Sequence, residues 1–497
     1  MITVRTTMDF DPIYYRDRLK IINFGGDVGV STLWSRVEHV YKVCKELGVD
    51  MEPMTSRIAV IANLYGNGLP HMLRNLLWNP QIRHILVLGQ DLSGSRLELI
   101  NFFRLGIEPT VFQDIPAFRI IETNRVIDGK VTPQDFAGRI HITPLGILSD
   151  HATRKGIPAF FDNLPAQKKT AGQRVNVPVP KVEVTRFPTE PRAQTILRDT
   201  PIEAWKELIF RLVRFGHRKA LKKGERYELQ NVKVVVERPE IEPEEALEGI
   251  GFSLEKFKQY QAWMLNSVKP NDLEYSYGNR MRGYFAHNGA IVDLLEVAIA
   301  RLMEDPESRH AYVSLWDPAR DISEEHGHPC LVSLYFRRFD GQLTMAAIFR
   351  THNAFTAWLE NCYGLMAIQA FVAGRVRMAC GAITIFSHSI SVSEESIEQA
   401  KIVANAKRTD DIVDPETGKR EPRYDYNGDF TVTVDRDANE IVVHHTYHGV
   451  TLTEYRGRRA EELEAKIARD RAVSEIAHAL YLGREIARNE ALLKAKG

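Results

Sequence analysis

Charge of either sign is not in excess in this sequence, and cysteine and long apolar runs are scarce. Lys and Arg together number 65 among 497 residues, and so do Asp and Glu, which gives a formal net charge of zero. General nucleic-acid binders usually carry a basic excess, so this balance weighs against that class, although a local basic patch can still bind one phosphate group. No apolar run is long enough to cross a bilayer.

The few cysteines and the N-terminal segment favour a cytoplasmic protein. The segment MITVRTTMDFDPIYYRDR is charged early and has no apolar stretch, unlike a signal peptide. Cys44, Cys330, Cys362 and Cys380 are too few for a disulfide framework in a chain of this length, so we expect free thiols in a reducing compartment. The apolar content of 44% and the charged content of 26% are ordinary for a globular protein.

Residues 1–150 contain an alternation of strand and helix patterns. The apolar run RIAVIANL is followed by the turn YGNGLP and the helix pattern HMLRNLLWNP, and then by the strand RHILVLG and the helix RLELINFFRLGI. This order predicts βαβ units and an N-terminal α/β domain of Rossmann type with a parallel sheet. The turns at 66–68 and 90–95 offer backbone N–H groups to an anion at the helix starts, or they are simply tight turns that need small residues.

The rest of the chain divides into three further regions. Prolines are frequent and periodicity is weak over residues 151–200, which predicts a linker or an extended arm. Residues 201–407 alternate between helices and strands in an order typical of an α+β domain with mainly non-crossover strands. Residues 408–497 begin with a polar loop, continue with a hairpin pattern in FTVTVDRDANEIVVHHTYHG, and end in charged amphipathic helices.

Five ordered segments between residues 275 and 400 carry the functional signal. They read YSYGNRMRGY, DPESRHAYVSLWDP, GHPCLVSLYF, GQLTMAAIFRTHNAFTAWLENCYGL and GAITIFSHSISVSEESIEQA. Each resembles a block of the thymidylate synthase superfamily, in the same order and at similar spacing. The flanks IANLYGNGLPHMLRNLLWNPQIRHILVLGQDLSGS and HALYLGREIARNEALL resemble its archaeal-type branch, in which a shortened core lies between additional regions.

The resemblance implies a fold and an assembly. We expect an α+β core at 201–407 that forms a homodimer by stacking its sheets and shares its active sites between subunits. An N-terminal α/β domain precedes this core, and the 408–497 region is expected to pack on that N-terminal domain.

The resemblance also implies a reaction at C5 of a uracil nucleotide, dUMP. Cys330, preceded by Pro329, takes the place of the nucleophile. A thiolate that adds to C6 makes C5 nucleophilic, and C5 then accepts a one-carbon unit from 5,10-methylenetetrahydrofolate or a methanopterin-type analogue. The alternative for Cys330 is a small buried thiol in a strand. The other three cysteines are expected in the core.

The resemblance assigns the remaining contacts to dUMP residue by residue. Positions for phosphate and base recognition are Arg309 (from the partner subunit), His310 (where the family usually has a second arginine), Arg350, Thr351 and Asn361. An amide at Asn361 can donate to uracil O4 and accept from N3–H at once, whereas a carboxylate there suits cytosine. The alternative is a structural asparagine within a helix.

Several positions depart from the family pattern. Asn353 stands in place of an aspartate that positions and protonates the pterin ring, and Ser391 and Ser393 stand where histidine and tyrosine hold the sugar. The further positions implied are His388 as a substitute sugar contact, Met281 and Tyr284 at the pterin site, with Met281 where many members have a tryptophan, and Tyr260 near the expected place of the catalytic glutamate.

These departures leave the product open. Hydride transfer to the exocyclic methylene gives dTMP, while attack by water gives 5-hydroxymethyl-dUMP. A third possibility is a nucleotide-binding homologue that has lost turnover. Modification of uracil in RNA or DNA is disfavoured by the charge balance. A metal site at His326, His328 and Cys330 is disfavoured because alternate positions on one strand rarely suffice, and we expect no metal.

Overall fold

The computed structural model describes residues 9–112, 115–167, 172–181, 187, 189–190, 192–221, 224–322, 327–410 and 425–495. The chain divides into two compact units, Met1–Thr185 and Arg186–Gly497. Each unit has hydrophobic cores of its own. Within the described ranges, no helix combines the length and the apolar character that crossing a membrane requires.

The first unit is built on a five-stranded sheet with the order β1-β3-β2-β4-β8, in which β1 is antiparallel to β3 and the other neighbours are parallel. A separate antiparallel sheet joins β5, β6 and β7. The strands are β1 (Lys20–Ile21), β2 (Val28–Ser31), β3 (Ile58–Ala62), β4 (His84–Val87), β5 (Ile107–Phe112), β6 (Ile115–Ile120), β7 (Val126–Ile127) and β8 (His141–Pro144). The helices are α1 (Val37–Glu46), α2 (Gly68–Trp78), α3 (Ser95–Arg104) and α4 (His151–Asp162).

Helices cover both faces of the parallel sheet. Val30 and Ile61 pack on one face with residues of α1, and Val60 and Ile85 face the other side with residues of α2 and α3. The elements β3, α2, β4 and α3 lie where the apolar pattern of 57–105 predicts strand, helix, strand and helix. The sheet of β5–β7 was not predicted, because its strands are short and largely half-buried or exposed, so their alternation is weak.

The proline-rich segment at 151–200 is not extended throughout. The helix α4 occupies its beginning, with Asp150 accepting hydrogen bonds from the N–H groups of Ala152 and Thr153. A strand lies near its end, at Thr195–Arg198, and pairs in the sheet of the second unit. Proline frequency alone therefore overestimated the length of the arm.

The second unit contains a seven-stranded mixed sheet with the path β10-β11-β17-β16-β15-β14, and β9 pairs beside β11. Its strands are β9 (Thr195–Arg198), β10 (His217–Leu221), β11 (Gly224–Val236), β12 (Ala286–His287), β13 (Ala290–Ile291), β14 (Tyr312–Ser314), β15 (Leu331–Phe339), β16 (Gln342–Asn353), β17 (Ala379–Ser393), β18 (Asp429–Asp435), β19 (Glu440–Tyr447) and β20 (Val450–Gly457). Its helices are α5 (Pro201–Phe215), α6 (Glu244–Glu248), α7 (Leu254–Leu265), α8 (Tyr277–Arg282), α9 (Leu294–Glu304), α10 (Pro318–Asp321), α11 (Trp358–Val376), α12 (Ile397–Asp410), α13 (Ala460–Arg469) and α14 (Ile476–Lys494).

The helix α11 is the crossover between the parallel neighbours β16 and β17, and it is buried along most of its length. It packs in one core with α5, whose fully buried Trp205 donates from its indole nitrogen to the carbonyl of Ala354 at 2.9 Å. That bond holds the turn after β16, so α11 begins at Trp358, later than the apolar pattern indicates.

A register shift between Leu343 and Met345 interrupts the pairing of β16 with β17. The buried amide of Gln369 on α11 donates to the carbonyls of Leu343 and Gly381, at 2.8 and 2.9 Å. One side chain of the crossover helix therefore supplies hydrogen bonds to both strands beside the irregularity, as buried carbonyls require.

The C-terminal region forms a three-stranded meander, β18-β19-β20, covered by α13 and α14 around a small core of its own. The predicted hairpin is confirmed as β18 and β19, and β20 is an additional strand. The predicted polar loop at 408–428 lies mostly outside the described residues. Buried Asp425 holds the start of α14 by accepting hydrogen bonds from Ser474, Glu475 and His478.

Replacing Gln369 with leucine tests the bond between α11 and the two strands. We expect Gln369→Leu to lower the free energy of unfolding by about 2–4 kcal/mol, because two buried carbonyls lose their donor. Urea unfolding of the full chain measures the change. Gln259→Leu, at an exposed position of α7, is the control and should change stability little. Equal stability of both variants and the parent would contradict this assignment.

Candidate active site

A cavity of about 620 Å³ lies in the second unit between α7, the segment 266–277, the end of β16 and the start of α11. Its polar and titratable lining includes Cys330, Tyr260, Tyr275, Glu360 and Asn361. The full lining consists of Tyr260, Trp263, Met264, Asn266, Val268, Pro270, Asp272, Leu273, Glu274, Tyr275, Ser276, Tyr277, Cys330, Thr351, His352, Asn353, Ala357, Glu360 and Asn361. The predicted nucleophile and the predicted base-reading amide thus line the same cavity.

Cys330 precedes β15 and is partly buried. Its carbonyl accepts a hydrogen bond from the N–H of Arg350 at 2.9 Å, and a register shift between Leu331 and Ser333 follows directly. Irregular pairing of this kind re-aims side chains at the edges of sites. The hydroxyl of Tyr275 donates to Sγ of Cys330 at 3.8 Å. Burial, and then the neighbouring thiol, raise the pKa of Tyr275, so this hydroxyl keeps its proton at neutral pH.

Two side chains hold the main chain just before Cys330. The guanidinium of Arg350 donates from Nε to the carbonyl of Pro329 at 3.1 Å and from an Nη group to the carbonyl of His328 at 3.0 Å. The indole of Trp316 donates to the same Pro329 carbonyl at 3.1 Å and stacks on the ring of His328. The Pro-Cys segment is therefore fixed by hydrogen bonds to its backbone.

The ring of His328 is engaged away from the thiol. Its Nε2 lies 2.6 Å from the carbonyl of Asp321, while His326 lies outside the described residues. Asp321 itself is fully buried and forms a two-oxygen ion pair with buried Arg280, which also donates to the carbonyl of Gly327. Removal of either residue would leave the other as an unpaired buried charge, which is strongly destabilising. The contacts of Arg280 therefore hold the loop before Cys330 at Asp321 and at Gly327.

Asn361 lies in a chain of hydrogen bonds that crosses four elements. Its Oδ1 accepts from the hydroxyl of Tyr260 at 2.6 Å, and its Nδ2 donates to Nε2 of His352 at 2.9 Å. The other ring nitrogen of His352 lies 3.1 Å from the hydroxyl of Ser387 on β17. Gly364 permits this contact, because a Cβ at that position would lie 2.7 Å from the ring of Tyr260.

His352 is neutral in this chain of bonds. Burial lowers its pKa to about 3, so at neutral pH one ring nitrogen donates and the other accepts. With Nε2 accepting from Asn361, Nδ1 donates to Ser387. Burial also raises the pKa of Tyr260 far above its usual range, with the charge of Glu360 as the second cause, so Tyr260 remains a donor. The orientation of the Asn361 amide is fixed from both ends.

Two further predicted residues line the cavity at the end of β16. Asn353 accepts hydrogen bonds on Oδ1 from the N–H groups of Phe355 and Thr356, both at 3.1 Å, and none of the described residues accepts a hydrogen bond from its amide nitrogen. Thr351 follows Arg350 on the same strand. Arg350 itself does not line the cavity in the described part of the chain, but its main chain and side chain adjoin the segment of Cys330.

Met281 and Tyr284 occupy positions that differ from the predicted pterin contacts. Met281 has no exposed surface and belongs to the hydrophobic core, so it cannot contact a ligand directly. The reason is that α8 turns this side chain inward. The ring of Tyr284 packs under the guanidinium of Arg280 at 3.9 Å, and its hydroxyl donates to Asp321. Tyr284 therefore supports the loop before Cys330.

The residues predicted to hold the sugar do not line the cavity in the described part of the chain. Ser391 is buried in β17 opposite Asn353. The hydroxyl of Ser393 donates to that of Ser396, and exposed His388 lies 3.0 Å from the side chain of Asn231 on β11. Ser391 and Ser393, predicted at the family's sugar-binding positions, and His388, predicted as a substitute, all lie on β17, where they contact neighbouring protein groups.

Arg309 and His310 are exposed after α9. No hydrogen bond or ion pair within the described ranges holds the side chain of Arg309. Among the other thiols, Cys44 and Cys362 are buried as predicted, and burial raises the pKa of Cys44 to about 11. The prediction for Cys380 was wrong, since it is exposed near the first residue of β17.

The sequence pattern missed several lining residues. Glu360 is half-buried in the first turn of α11, and burial raises its pKa more strongly than nearby Lys256 lowers it. The indole of Trp263 on α7 is 54% exposed and lines the cavity. Glu360 precedes Asn361 in the sequence, and Trp263 lies three residues after Tyr260. Their positions beside predicted residues could have identified them, but neither matched a motif.

Two stretches of this chain resemble known proteins. A family model described as Thymidylate synthase matches residues 182–422, and one described as PterinBD-DUF4346 matches residues 424–497. The chain is 35% identical over 156 residues (31% of this chain and 67% of the relative) to a Methanothermobacter thermautotrophicus protein named "Putative thymidylate synthase". A protein of the same name from Methanosarcina acetivorans is 32% identical over 167 residues, covering 33% of this chain and 73% of the relative.

A third relative of that name, from Methanocaldococcus jannaschii, is 26% identical over 202 residues, which is 40% of this chain and 88% of the relative. The chain therefore belongs to the thymidylate synthase family, and the resemblance inferred from its sequence blocks is confirmed. Its family domain combines helices with a mixed sheet and is followed by an additional C-terminal region.

The neutral state of His352 predicts a pH dependence of stability. Its folded pKa of about 3 lies below the ordinary value of about 6.5, so below pH 6.5 the unfolded chain binds a proton that the folded chain refuses. Stability is then lost as the pH falls from about 6.5 towards 3, by at most about 1.4 kcal/mol per pH unit.

Urea unfolding of the parent and of His352→Gln at pH 5 and pH 8 measures this loss. Comparing the two pH values within each protein removes any constant effect of the substitution. We expect the variant to lose less stability than the parent on acidification. The same loss in both proteins would show that His352 is not buried in its neutral form.

Proposed function

We propose that this protein transfers a one-carbon unit from a methylene-tetrahydropterin to C5 of dUMP, giving dTMP. The observation that supports the proposal most directly is that Cys330 and Asn361 line one cavity, with the Asn361 amide held in a single orientation. Neither folding nor simple binding requires a partly exposed thiol beside such an amide, which favours turnover over a binding role.

Asn361 can still recognise uracil although two of its bonds are used internally. An amide has two N–H donors and a carbonyl oxygen with two lone pairs. Tyr260 uses one lone pair and His352 accepts one N–H, so one donor and one acceptor remain on the same amide. These match O4 and N3–H of uracil, while cytosine presents the opposite pattern at both positions.

Cys330 then acts as the nucleophile. Its sulfur forms a bond to C6 of the uracil, and the electrons of the C5–C6 double bond move towards C5 and O4, so that C5 becomes nucleophilic. The co-substrate supplies the methylene carbon and, for methylation, the hydride. After C5 has bonded the methylene carbon it loses its proton, and the bond between that carbon and the pterin nitrogen breaks, which leaves an exocyclic methylene group and the tetrahydropterin. Hydride from the tetrahydropterin then reduces the methylene to a methyl group while the Cys330 thiolate leaves C6, so that the C5–C6 double bond is restored and a dihydropterin is released. Tyr275, which donates to this sulfur, positions the thiol.

Glu360 is the candidate for the proton transfers of this sequence. It lines the cavity one residue before Asn361, and its pKa is raised chiefly by burial. A carboxyl with a raised pKa exchanges protons more effectively near neutral pH, as general acid–base catalysis requires. Tyr260, which was predicted near the expected place of the catalytic glutamate, donates to Asn361 and orients it.

Arg350 is the candidate phosphate ligand within the same subunit. Two of its nitrogen groups bind backbone carbonyls beside Cys330. Its other Nη group has no hydrogen-bond acceptor among the described residues, so it can bind an oxygen of the nucleotide. Exposed Arg309 and His310 complete the phosphate site of a second subunit in the proposed homodimer, which is consistent with the lack of a partner for Arg309 in the described residues. With His388, Ser391 and Ser393 turned away, Thr351 is the nearest predicted candidate for the sugar.

The cavity fits a pterin co-substrate. Trp263 presents an exposed indole, and Val268, Pro270 and Leu273 add apolar surface along the same wall. The amide nitrogen of Asn353 can donate a hydrogen bond to a pterin ring. An amide does not ionise as a carboxyl group does, so Asn353 cannot transfer a proton to the ring as the family aspartate does. The model matched by residues 424–497, whose description refers to pterin binding, supports the same class of co-substrate.

Hydroxymethylation of dUMP is the second candidate function. Met281, at the position of the shielding tryptophan in many members, lies in the core and shields nothing, and Asn353 replaces the aspartate. Access of water to the exocyclic methylene would then give 5-hydroxymethyl-dUMP. Trp263, on the cavity wall, is the residue that can take over the shielding, and this favours the methyl product.

The decisive experiment incubates the full chain with dUMP and methylene-tetrahydrofolate, and in parallel with a methanopterin-type donor. Mass spectrometry identifies the nucleotide product, absorbance follows formation of dihydrofolate, and tritium release reports on C5. We expect dTMP with stoichiometric dihydrofolate, no product with Cys330→Ser, and full activity with Cys380→Ser, the other accessible thiol. A hydroxymethyl product without dihydrofolate selects the second function. Binding of dUMP without tritium release rejects both and leaves a nucleotide-binding homologue.

Glu360→Gln tests the proton-transfer assignment separately. We expect kcat to fall by about 10²–10⁴-fold with little change in KM for dUMP, because general acid–base catalysis contributes on this scale. The limb of the pH–rate profile that reports the carboxyl should also disappear. Glu255→Gln, at an exposed position of α7, serves as the matched control. An unchanged pH profile in Glu360→Gln would remove this carboxyl from the mechanism.

A further inference from the structure

The first unit contains a cavity of its own, of about 330 Å³, at the carboxyl ends of β2 and β3. This volume is within the range of small-molecule sites. Its wall is largely apolar, with Phe10, Leu19, Met72, Leu76, Ile82 and Ile85. All its lining residues lie between positions 10 and 85, and none of them lines the cavity of Cys330. A ligand of this cavity is therefore independent of the proposed function.

The topology places this cavity where α/β sheets bind ligands. The chain leaves β2 for its neighbour β3 and then crosses back over β2 to reach β4 on the other side. The connections therefore diverge at the carboxyl end of β2, and this divergence opens a crevice in doubly wound sheets. The lining includes residues of all three strands, among them Ser31, Ala62 and Ile85.

Ser31 is the last residue of β2 and is only 4% exposed. It pairs with Ala62, and Gly29 with Val60, so these four side-chain positions share the face of the sheet that lines the cavity. The hydroxyl of Ser31 has no hydrogen-bond partner within the described residues. A buried hydroxyl without a partner is costly, and a ligand atom in the cavity would satisfy it.

The start of α2 lines the same cavity through Gly66, Asn67 and Gly68. The side chain of Asn67 does not cap this helix, because its Oδ1 accepts from Arg125 at 3.1 Å. The N–H of Gly68 donates to the carbonyl of Tyr65 at 3.1 Å and Pro70 has no N–H, so the N–H of Leu69 is the first-turn group that an anion at this helix start would bond.

The second predicted anion turn differs in this respect. The carboxylate of Asp91 accepts hydrogen bonds from the N–H groups of Ser93, Ser95 and Arg96 at the start of α3. The chain supplies its own anion there, so of the two turns only the one at 66–68 is available to a ligand.

We infer that this cavity binds a small planar heteroaromatic compound that carries a phosphate or carboxylate group. The apolar wall takes the ring, and the hydroxyl of Ser31 bonds a polar ring atom. The anionic group lies at the start of α2, where Arg18 also lines the cavity with its guanidinium over the ring of Tyr15. Nucleoside monophosphates and pterin carboxylates share this chemistry.

Isothermal titration calorimetry on the full chain tests the inference and separates the two sources. The probes are AMP, GMP, CMP and UMP in one arm, pterin-6-carboxylate in the other, and adenosine and inorganic phosphate as partial ligands. We expect saturable binding in one arm, and weaker binding of the matching partial ligand because it lacks either the ring or the anion.

Two variants assign the binding to this cavity. Ser31→Ala should weaken it about 5- to 10-fold, the value of one hydrogen bond. Gly29→Val should abolish it by filling the cavity. A Cβ at this position would lie 3.8 and 3.9 Å from the side chains of Ile82 and Val60, which is ordinary contact, and thermal unfolding of the variant checks that its two further methyl groups are also accommodated. Asn361→Ala, in the other cavity, should leave it intact.

The matched control is Ser56→Ala. Ser56 is also buried in the first unit, but its hydroxyl accepts from the N–H of Ile58 at 3.0 Å. Ser56→Ala should lower thermal stability without changing binding, whereas Ser31→Ala should change binding without lowering stability. Absence of binding by every probe, binding of inorganic phosphate as tight as that of the whole ligand, or binding that survives both Ser31→Ala and Gly29→Val would overturn the inference.

Discussion

The candidate active site depends on burying one neutral imidazole in the sheet. His352 is only 3% exposed, so both ring nitrogens need partners, and Ser387 and Asn361 supply them. The requirement fixes the amide of Asn361, which Tyr260 holds from the other side. A purely structural need of the sheet, satisfaction of a buried polar ring, thus sets the donor and acceptor pattern that the cavity presents.

The position of Cys330 depends on side-chain hydrogen bonds and an ion pair as well as on the sheet. Arg350 and Trp316 bind backbone carbonyls of the Pro-Cys segment, and the buried pair of Arg280 with Asp321 anchors the loop before it. Arg350, which motif matching associates with a phosphate, therefore also has a structural task. Its loss would disturb the position of the thiol as well as any contact with an anion.

The sequence was informative where short-range chemistry decides the outcome. The ordered blocks predicted Cys330 and Asn361 as site residues, and these two line one cavity, while the alternation of residues 429–447 predicted the hairpin of β18 and β19. His352 matched no family residue within its motif. Its role in orienting Asn361 depends on its burial, and residues distant in sequence produce that burial. Met281 matched a motif position, yet α8 directs it into the core. Ser31 and Asn67 acquire meaning only when strand order brings them to one crevice.

The helix α11 carries Glu360 and Asn361 in its first turns and Gln369 about 12 Å further along its axis, at 1.5 Å per residue. Gln369 bonds β16 and β17, and Asn361 bonds Tyr260 of α7 and His352 of β16. These contacts fix the position of the helix along its axis at two places. The helix therefore fixes the distance between the stabilising contacts of Gln369 and the contacts that Asn361 makes at the cavity. Substitutions deep in the core, such as one at Gln369, would then shift Asn361 and change the donor and acceptor pattern that the cavity presents.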